Sequence, residues 1–272
     1  MNRTEELARL LSSLQAQTYA SFRVLIADQN EDDRLHSLLD EFGSLELIRV
    51  RSSPGLSRAR NAALTRIDAD VIAFPDDDCL FPADLLQRVA SRFASDETLA
   101  GMTGRSESAA GESSASWRRD PAILTEANVW NRAISFTIFL RAKAVAATGG
   151  FDEELGLGAG GPWTSGEEID YLVRAIRKGF RIEYDPDLIV VHDVPALPAG
   201  ALREIGARDG ASVGYILRKH GYPLRRVALM LARPIGGALV AVLRKDTTRA
   251  RFHLATLRGR LLGYRNAAQP GL

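Results

Sequence analysis

Three adjacent carboxylates, Asp76, Asp77 and Asp78, follow the apolar run VIAFP. Carboxylates this close repel one another, and they ionise together only where a cation or strong donors offset the charge. The cluster therefore invites a hard divalent cation such as Mg²⁺ or Mn²⁺, which takes carboxylate oxygens together with the phosphates of a substrate. Val71, Ile72, Ala73 and Phe74 read as a buried strand ended by Pro75. That puts the acids at a strand's carboxyl end, where open α/β sheets hold their ligands. A competing reading gives one aspartate to capping the helix suggested by Pro82, Ala83, Asp84, Leu85 and Leu86, and leaves the others solvated.

Other residues of chemical interest are spread along the chain, each with a plainer reading beside it. Asp28 closes the apolar run FRVLIAD, where an ordinary turn aspartate also sits. Arg58 and Arg60 lie in SPGLSRARNAAL, and isolated helix arginines are mostly solvated. Glu167 and Glu168 begin EEIDYLVRAIRK, where acids in a first turn also stabilise the helix dipole. His192 ends the strand-like DLIVVH, a place that suits a structural histidine as well as a ligand. Trp163, in the glycine-rich stretch just before the two glutamates, offers an apolar ring face to a sugar or anchors its own loop.

The elements that must position these groups alternate. An amphipathic helix with Leu7, Leu10, Leu11 and Leu14 on one face is followed by the FRVLIAD strand, a helix over 33–42, a strand over 45–50, a helix over 57–67 and the VIAF strand. Such alternation predicts an α/β fold with a mainly parallel central sheet. Residues 105–120 read as a loop, AISFTIFLRA as a strand, AKAVAAT as a helix stopped by Gly149 and Gly150, and RIEYDPDLIVVHD as one or two short strands. Thr164 and Ser165 are placed to cap a helix over 167–178. After Pro198 the pattern turns to helices alone, over 202–220, 224–243 and 247–264. The middle one is apolar but interrupted by Arg233, Pro234 and a glycine pair. It falls short of a bilayer span and reads as an amphipathic or kinked helix, packed on the protein or lying on a membrane surface.

The 272 residues, 46% hydrophobic and 25% charged, suit an ordinary globular protein. The formal net charge of +1 hides an excess of Arg and Lys in the last quarter. A single cysteine, Cys79, excludes an internal disulfide and every multi-cysteine metal site. Residues 1–20 lack the apolar core of a signal peptide and read as a core-facing helix. The basic tail is not interleaved with stacking aromatics, which argues against nucleic acid.

Four segments now stand in one order: an aspartate closing FRVLIAD, the turn and helix SPGLSRARNAAL, the DDD cluster, and GFDEELG…SGEEIDYLVRAIRKGF followed by IVVHD. Over about residues 1–193 this resembles the family-2 glycosyltransferases of the GT-A fold. The resemblance implies that Asp28 hydrogen-bonds a nucleotide base, and that Gly55, Arg60 and Asn61 form the element that meets the nucleotide's charge. It implies that the DDD run is the family's D-x-D, with Asp76 and Asp78 in its outer positions, Asp77 between them, and Asp78 expected to touch a Mn²⁺ or Mg²⁺ ion shared with the diphosphate. His192 would complete the metal shell, Glu168 or Glu167 would be the general base, and Trp163 would meet the acceptor. The family's second acid is more often Asp, so Glu168 departs from the pattern.

A second departure concerns the start. The family opens with a central strand and a turn reaching the nucleotide, and this chain begins where that turn would finish. The expectation is a sheet lacking that strand, with unpaired edges on its two neighbours, either because the start lies upstream or because the protein is truncated and disabled. The implied organisation is a transferase domain over 1–197 and a helical region over 198–272. The implied function is inverting, metal-dependent transfer from a nucleotide-diphosphate sugar, a UDP-sugar foremost, to a glycan or lipid-linked acceptor. The place would be the inner face of the cytoplasmic membrane, in polysaccharide biosynthesis. Two alternatives carry other consequences: a catalytically degenerate binding or scaffold protein, and a sugar nucleotidyltransferase, which would release pyrophosphate.

Overall fold

A computed structural model of the protein describes residues 3–113, 116–193 and 199–267. In chain order the elements are α1 (Thr4–Gln15), β1 (Val24–Asp28), α2 (His36–Glu41), β2 (Leu47–Arg51), α3 (Leu56–Leu64), β3 (Val71–Ala73), β4 (Cys79–Leu80), α4 (Leu85–Ser95), β5 (Gly101–Glu107), β6 (Ala122–Ile123), β7 (Phe139–Arg141), α5 (Ala142–Thr148), α6 (Glu167–Arg177), β8 (Ile182–His192), α7 (Ala199–Lys219), α8 (Leu224–Leu243) and α9 (Thr247–Asn266). Of the described residues, those within Met1–Pro54, Arg58–Phe151 and Glu168–Val194 make one compact unit. Those within Gly55–Ser57, Asp152–Glu167 and Pro195–Leu272 make a second. The boundary expected at 197/198 lies outside the described residues.

The first unit is α/β, but its sheet is mixed rather than mainly parallel. β1 and β2 pair in parallel as a two-stranded sheet. The larger sheet runs β3-β7-β5-β8-β4 with β6 also on β8, and among its described neighbours only β5 and β8 pair in parallel. Alternation along the chain signals the class, whereas strand direction is decided by which edges meet. Among the described strands β1 pairs with β2 alone and β3 with β7 alone, so the sheet is in two pieces and each of these strands has an unpaired edge.

α1 turns Leu7, Leu10, Leu11 and Leu14 into the core, where they join Ile26, Cys79, Phe81, Leu85, Val89, Phe93 and Phe139. This is the burial that a 3.6-residue period on one face provides for. β8 buries every second residue from Ile182 through Val190, the period of a half-buried strand. It is one strand, not two. Its pairing with β5 jumps from Thr103↔Tyr184 to Arg105↔Ile189, a bulge that takes Pro186 out of the hydrogen-bonding ladder.

β5 itself was hidden in the sequence by Gly101, Gly104 and Arg105. A side chain at Gly104 would run into the backbone carbonyl of Leu188, so glycine is what lets the two strands approach. The run AISFTIFLRA is also not one strand: residues Ser135–Thr137 form a 3₁₀ turn and only Phe139–Arg141 pair as β7.

In the second unit, α7 and α9 pack backbone to backbone. A Cβ at Gly259 would collide with the carbonyl of Ala207, and one at Gly263 with that of Ala211. α8 runs unbroken through Pro234. Contrary to the sequence expectation, it is long and apolar enough, by length and composition, to cross a membrane.

Candidate active site

The three acids occupy the turn between β3 and β4, closed by the Cys79 N–H to the carbonyl of Asp76 (3.3 Å). None of them caps α4, whose N-cap position is Asp84. The antiparallel pairing of β4 with β8 sets Cys79 opposite His192. It thereby brings His192 Nε2 to 3.2 Å from Asp78 Oδ1. The imidazole stacks on Phe136 with centroids 4.9 Å apart, which fixes its plane. The His192 hydrogen bond holds the Asp78 carboxyl below the usual carboxylate range although burial opposes it. The same contact raises the imidazole above its ordinary value.

The neighbouring aspartates face different partners. Asp76 accepts from the buried Arg60 (2.9 Å) and from the hydroxyl of Ser135 (3.2 Å). Arg60 also lies over the ring of Phe151, 5.3 Å from its centroid. Arg3 donates to Asp77 (2.9 Å) and to Asp78. A guanidinium thus supplies positive charge at the acid pair.

As a metal site the cluster is partial. Among the described residues, no three His, Cys, Asp or Glu side chains converge as a metal shell requires. Asp78 and His192 fit such an ion as an oxygen and a nitrogen donor side by side. That is enough for a cation that draws most of its remaining ligands from substrate phosphates and water. Asp76 is committed to Arg60 and Ser135 instead.

Asp28 is buried at the end of β1 with its own partners. Its carboxylate accepts from the Asn30 N–H (2.9 Å) and side-chain amide (2.8 Å) and from Arg49 Nε (2.8 Å), and it forms ion pairs with Arg49 (2.6 Å) and Arg51 (3.1 Å). Burial pulls this carboxyl upward, but the Asn30 and Arg49 donors outweigh it and hold it below the ordinary range. Asn61 spends its amide on the backbone of Phe151, accepting from its N–H (2.7 Å) and donating to its carbonyl (3.0 Å).

In the second unit, Gly55 has φ 128°, the left-handed side of backbone space that favours glycine, at the entry to α3. Leu56 N–H then donates to the Leu157 carbonyl (2.8 Å). Trp163 is buried, stacked on Tyr215 with centroids 4.9 Å apart. Tyr215 donates to Glu154 (2.8 Å), and Lys219 pairs with Asp152 (2.6 Å). Burial, with Glu154 and Asp152, pushes the phenol upward. This set ties the glycine-rich loop to α7, so one face of Trp163 is already covered. Glu167 is buried, and its carboxylate borders Gly156, where an added Cβ would come within 3.3 Å of it. Glu168, the next residue of α6, belongs to the first unit and is half-buried.

Arg3, Asn30, Arg49, Ser135, Phe136 and Tyr215 were not singled out from sequence. Asn30 acts locally, turning back on Asp28 two residues before it, while each of the others acts through a tertiary contact with a distant segment.

A mixed sheet flanked by helices, with an acid turn at its strand ends and a histidine brought beside it, is the architecture of the GT-A nucleotide-sugar enzymes. Solved structures agree on the fold. The mannosyltransferase PcManGT from Pyrobaculum calidifontis, in complex with GDP-Man and Mn²⁺, superposes with a TM-score of 0.64 at 16% identity, covering 96% of this chain and 84% of that one. S. aureus TarS 1-349 in complex with UDP-GlcNAc gives 0.63 at 16%, covering 94% and 89%. The Glycosyl transferase family 2 model matches residues 1–147, and the chain belongs to that family. Among curated relatives, the pre-mycofactocin glycosyltransferase of Mycobacterium tuberculosis is 28% identical over 88% of this chain and 50% of its own length. The succinoglycan biosynthesis protein ExoM of Rhizobium meliloti is 27% identical over 99% of this chain and 93% of its own. The chain spans about half the length of the mycobacterial relative.

Proposed function

We propose that this protein transfers a sugar, with inversion, from a nucleotide-diphosphate sugar to a glycan or lipid-linked acceptor in polysaccharide biosynthesis, at the inner face of the cytoplasmic membrane. The observation that carries the reading is the Asp78–His192 pair, 3.2 Å apart at the acid turn. Glu168 acts as the base. It takes the proton of the acceptor hydroxyl as that oxygen attacks the anomeric carbon, while the bond from that carbon to the diphosphate breaks and the nucleoside diphosphate leaves. Attack from the face opposite the leaving group inverts the centre. A Mn²⁺ or Mg²⁺ ion held by Asp78 and His192 supplies charge neutralisation for the departing diphosphate. Arg60, already oriented by Asp76, adds a fixed positive charge. Glu167 supports the loop at Gly156 rather than the proton transfer.

UDP-sugars are the first donors to test. The neighbours solved with UDP-GlcNAc and with GDP-Man support a nucleotide sugar without choosing between bases. The base-binding role of Asp28 requires one of its present donors to give way to the base.

A second reading, a degenerate binding protein on the same fold, is favoured by the sheet in two pieces and by Arg3 lying on Asp77 and Asp78. Mn²⁺-dependent release of UDP from UDP-sugars separates the two. Turnover above buffer, lost in Asp78→Ala, supports transfer; binding without turnover across donors supports the degenerate form.

A further inference from the structure

α8 buries Val227, Met230, Pro234, Ala238 and Ala241 on one side, the side that packs within the second unit. Its opposite side is apolar as well: Leu224, Leu229, Ile235, Leu239, Val240, Val242 and Leu243 are all exposed, with Leu239 at 62% and Leu243 at 83%. A helix apolar on both sides, with Arg225, Arg226 and Arg233 confined to its first half, is unusual unless its outer face also has somewhere apolar to go. α9 continues the surface differently. Arg251, Leu254, Arg258, Leu261 and Arg265 recur at three- and four-residue spacing and are all exposed, so arginines and leucines alternate down one face. The two faces join at a hollow of about 270 Å³ where Val242 of α8 and Leu254 and Arg251 of α9 meet Lys245.

Charge says what covers this face. Between Leu224 and Asn266 the sequence carries ten Arg and Lys and one acid, Asp246, which caps α9 through the Arg249 N–H (2.9 Å). Arg233 and Arg260 both reach Met230, one at its sulfur (3.7 Å) and one at its carbonyl. Burial and the nearby Arg233 pull Arg260 down to about 10, as expected where cations crowd without acids on either helix. Two such surfaces would repel each other, which counts against a second copy as the occupant.

We propose that the exposed faces of α8 and α9 dock on an anionic phospholipid bilayer, α8 lying in the plane of the interface with its leucine arc in the headgroup–acyl boundary and the α9 arginines on lipid phosphates. Apolar burial and attraction to anionic headgroups act together in this mode of attachment. The proposal rests on the reading above in which the acceptor is lipid-linked. Vesicle binding is measured without donor or acceptor, so its failure and the failure of that reading are told apart.

The test is co-sedimentation of the full chain with phosphatidylglycerol–phosphatidylcholine vesicles and with phosphatidylcholine alone. Comparison is made with Leu239→Glu/Leu243→Glu and with Arg251→Ala/Arg258→Ala/Arg265→Ala, all exposed positions whose folding is checked by circular dichroism. Binding is expected to the anionic vesicles, to weaken about fivefold for each arginine removed, to be lost in the double glutamate variant, and to fall for the wild type as salt rises from about 0.1 M. Equal binding to neutral vesicles, indifference to salt, or undiminished binding in both variants would overturn it. So would a dimer in sedimentation velocity that the variants dissolve while vesicles go unbound, which would assign the face to a second copy.

Discussion

His192 stands beside Asp78 because Cys79, the residue after Asp78, pairs with His192 across β4 and β8, although the two lie more than a hundred positions apart in sequence. The register of a two-residue strand therefore sets the donor geometry of the site. Asp78→Ala and His192→Ala should each weaken Mn²⁺-dependent UDP binding by at least about tenfold, since even outer partners of metal ligands typically contribute that much. Calorimetric titration with and without Mn²⁺ reads this directly, and binding equal to wild type would remove the pair from the site.

Arg3 competes with a cation for Asp77 and Asp78. Arg3→Ala should tighten Mn²⁺ binding severalfold, because Asp77 and Asp78 lose a fixed positive neighbour and a bound cation then offsets more of their repulsion. Titration of Mn²⁺ alone, followed by its electron paramagnetic resonance signal, measures the change. Weaker binding in the variant would show that Arg3 orders the turn instead.

Glu168→Gln should lower turnover by about 10²–10⁴-fold while leaving donor binding near wild type, the range expected for a lost general base. Glu167→Gln should act mainly on thermal stability, given its burial beside Gly156. If the two variants exchange these phenotypes in UDP-release and melting assays, the base is Glu167.

The carboxyl of Asp28 is held below its ordinary value by Asn30 and Arg49 against the pull of burial. Its contribution is therefore fully present above the unfolded value, about 3.9, and is lost as pH falls through the lower folded value. Asp28→Asn should lower stability near neutral pH by about 1–3 kcal/mol and should flatten the decline in melting temperature below about pH 4. An unchanged acid limb would place that decline on other carboxylates.

Much of this was legible from the chain because it is local. The leucine face of α1, the run ending at Asp28, the acid triplet after VIAFP and the glutamates opening α6 each announce themselves within a few residues. What stayed hidden depends on pairing. Gly101, Gly104 and Arg105 make β5 look like a loop, yet the glycines permit close strand approach and Arg105 is neutralised by Glu107. Ser135 and Phe136 sit inside an apolar run that reads as a strand, and only the 3₁₀ turn aims one at Asp76 and the other at His192. Strand direction was misjudged for the same reason, since antiparallel partners such as β3 and β7 come from Val71–Ala73 and Phe139–Arg141, far apart along the chain.

Cys79 carries one more consequence. It is the chain's only thiol, fully buried, and burial together with the charges of Asp76 and Asp78 pushes it far above a reactive value. Alkylation must then wait for β4 to part from β8, which makes the labelling rate a clock for the opening of the acid turn. A ligand that bridges Asp78 and His192 should slow that clock, and the protein arrives with its own reporter already in place.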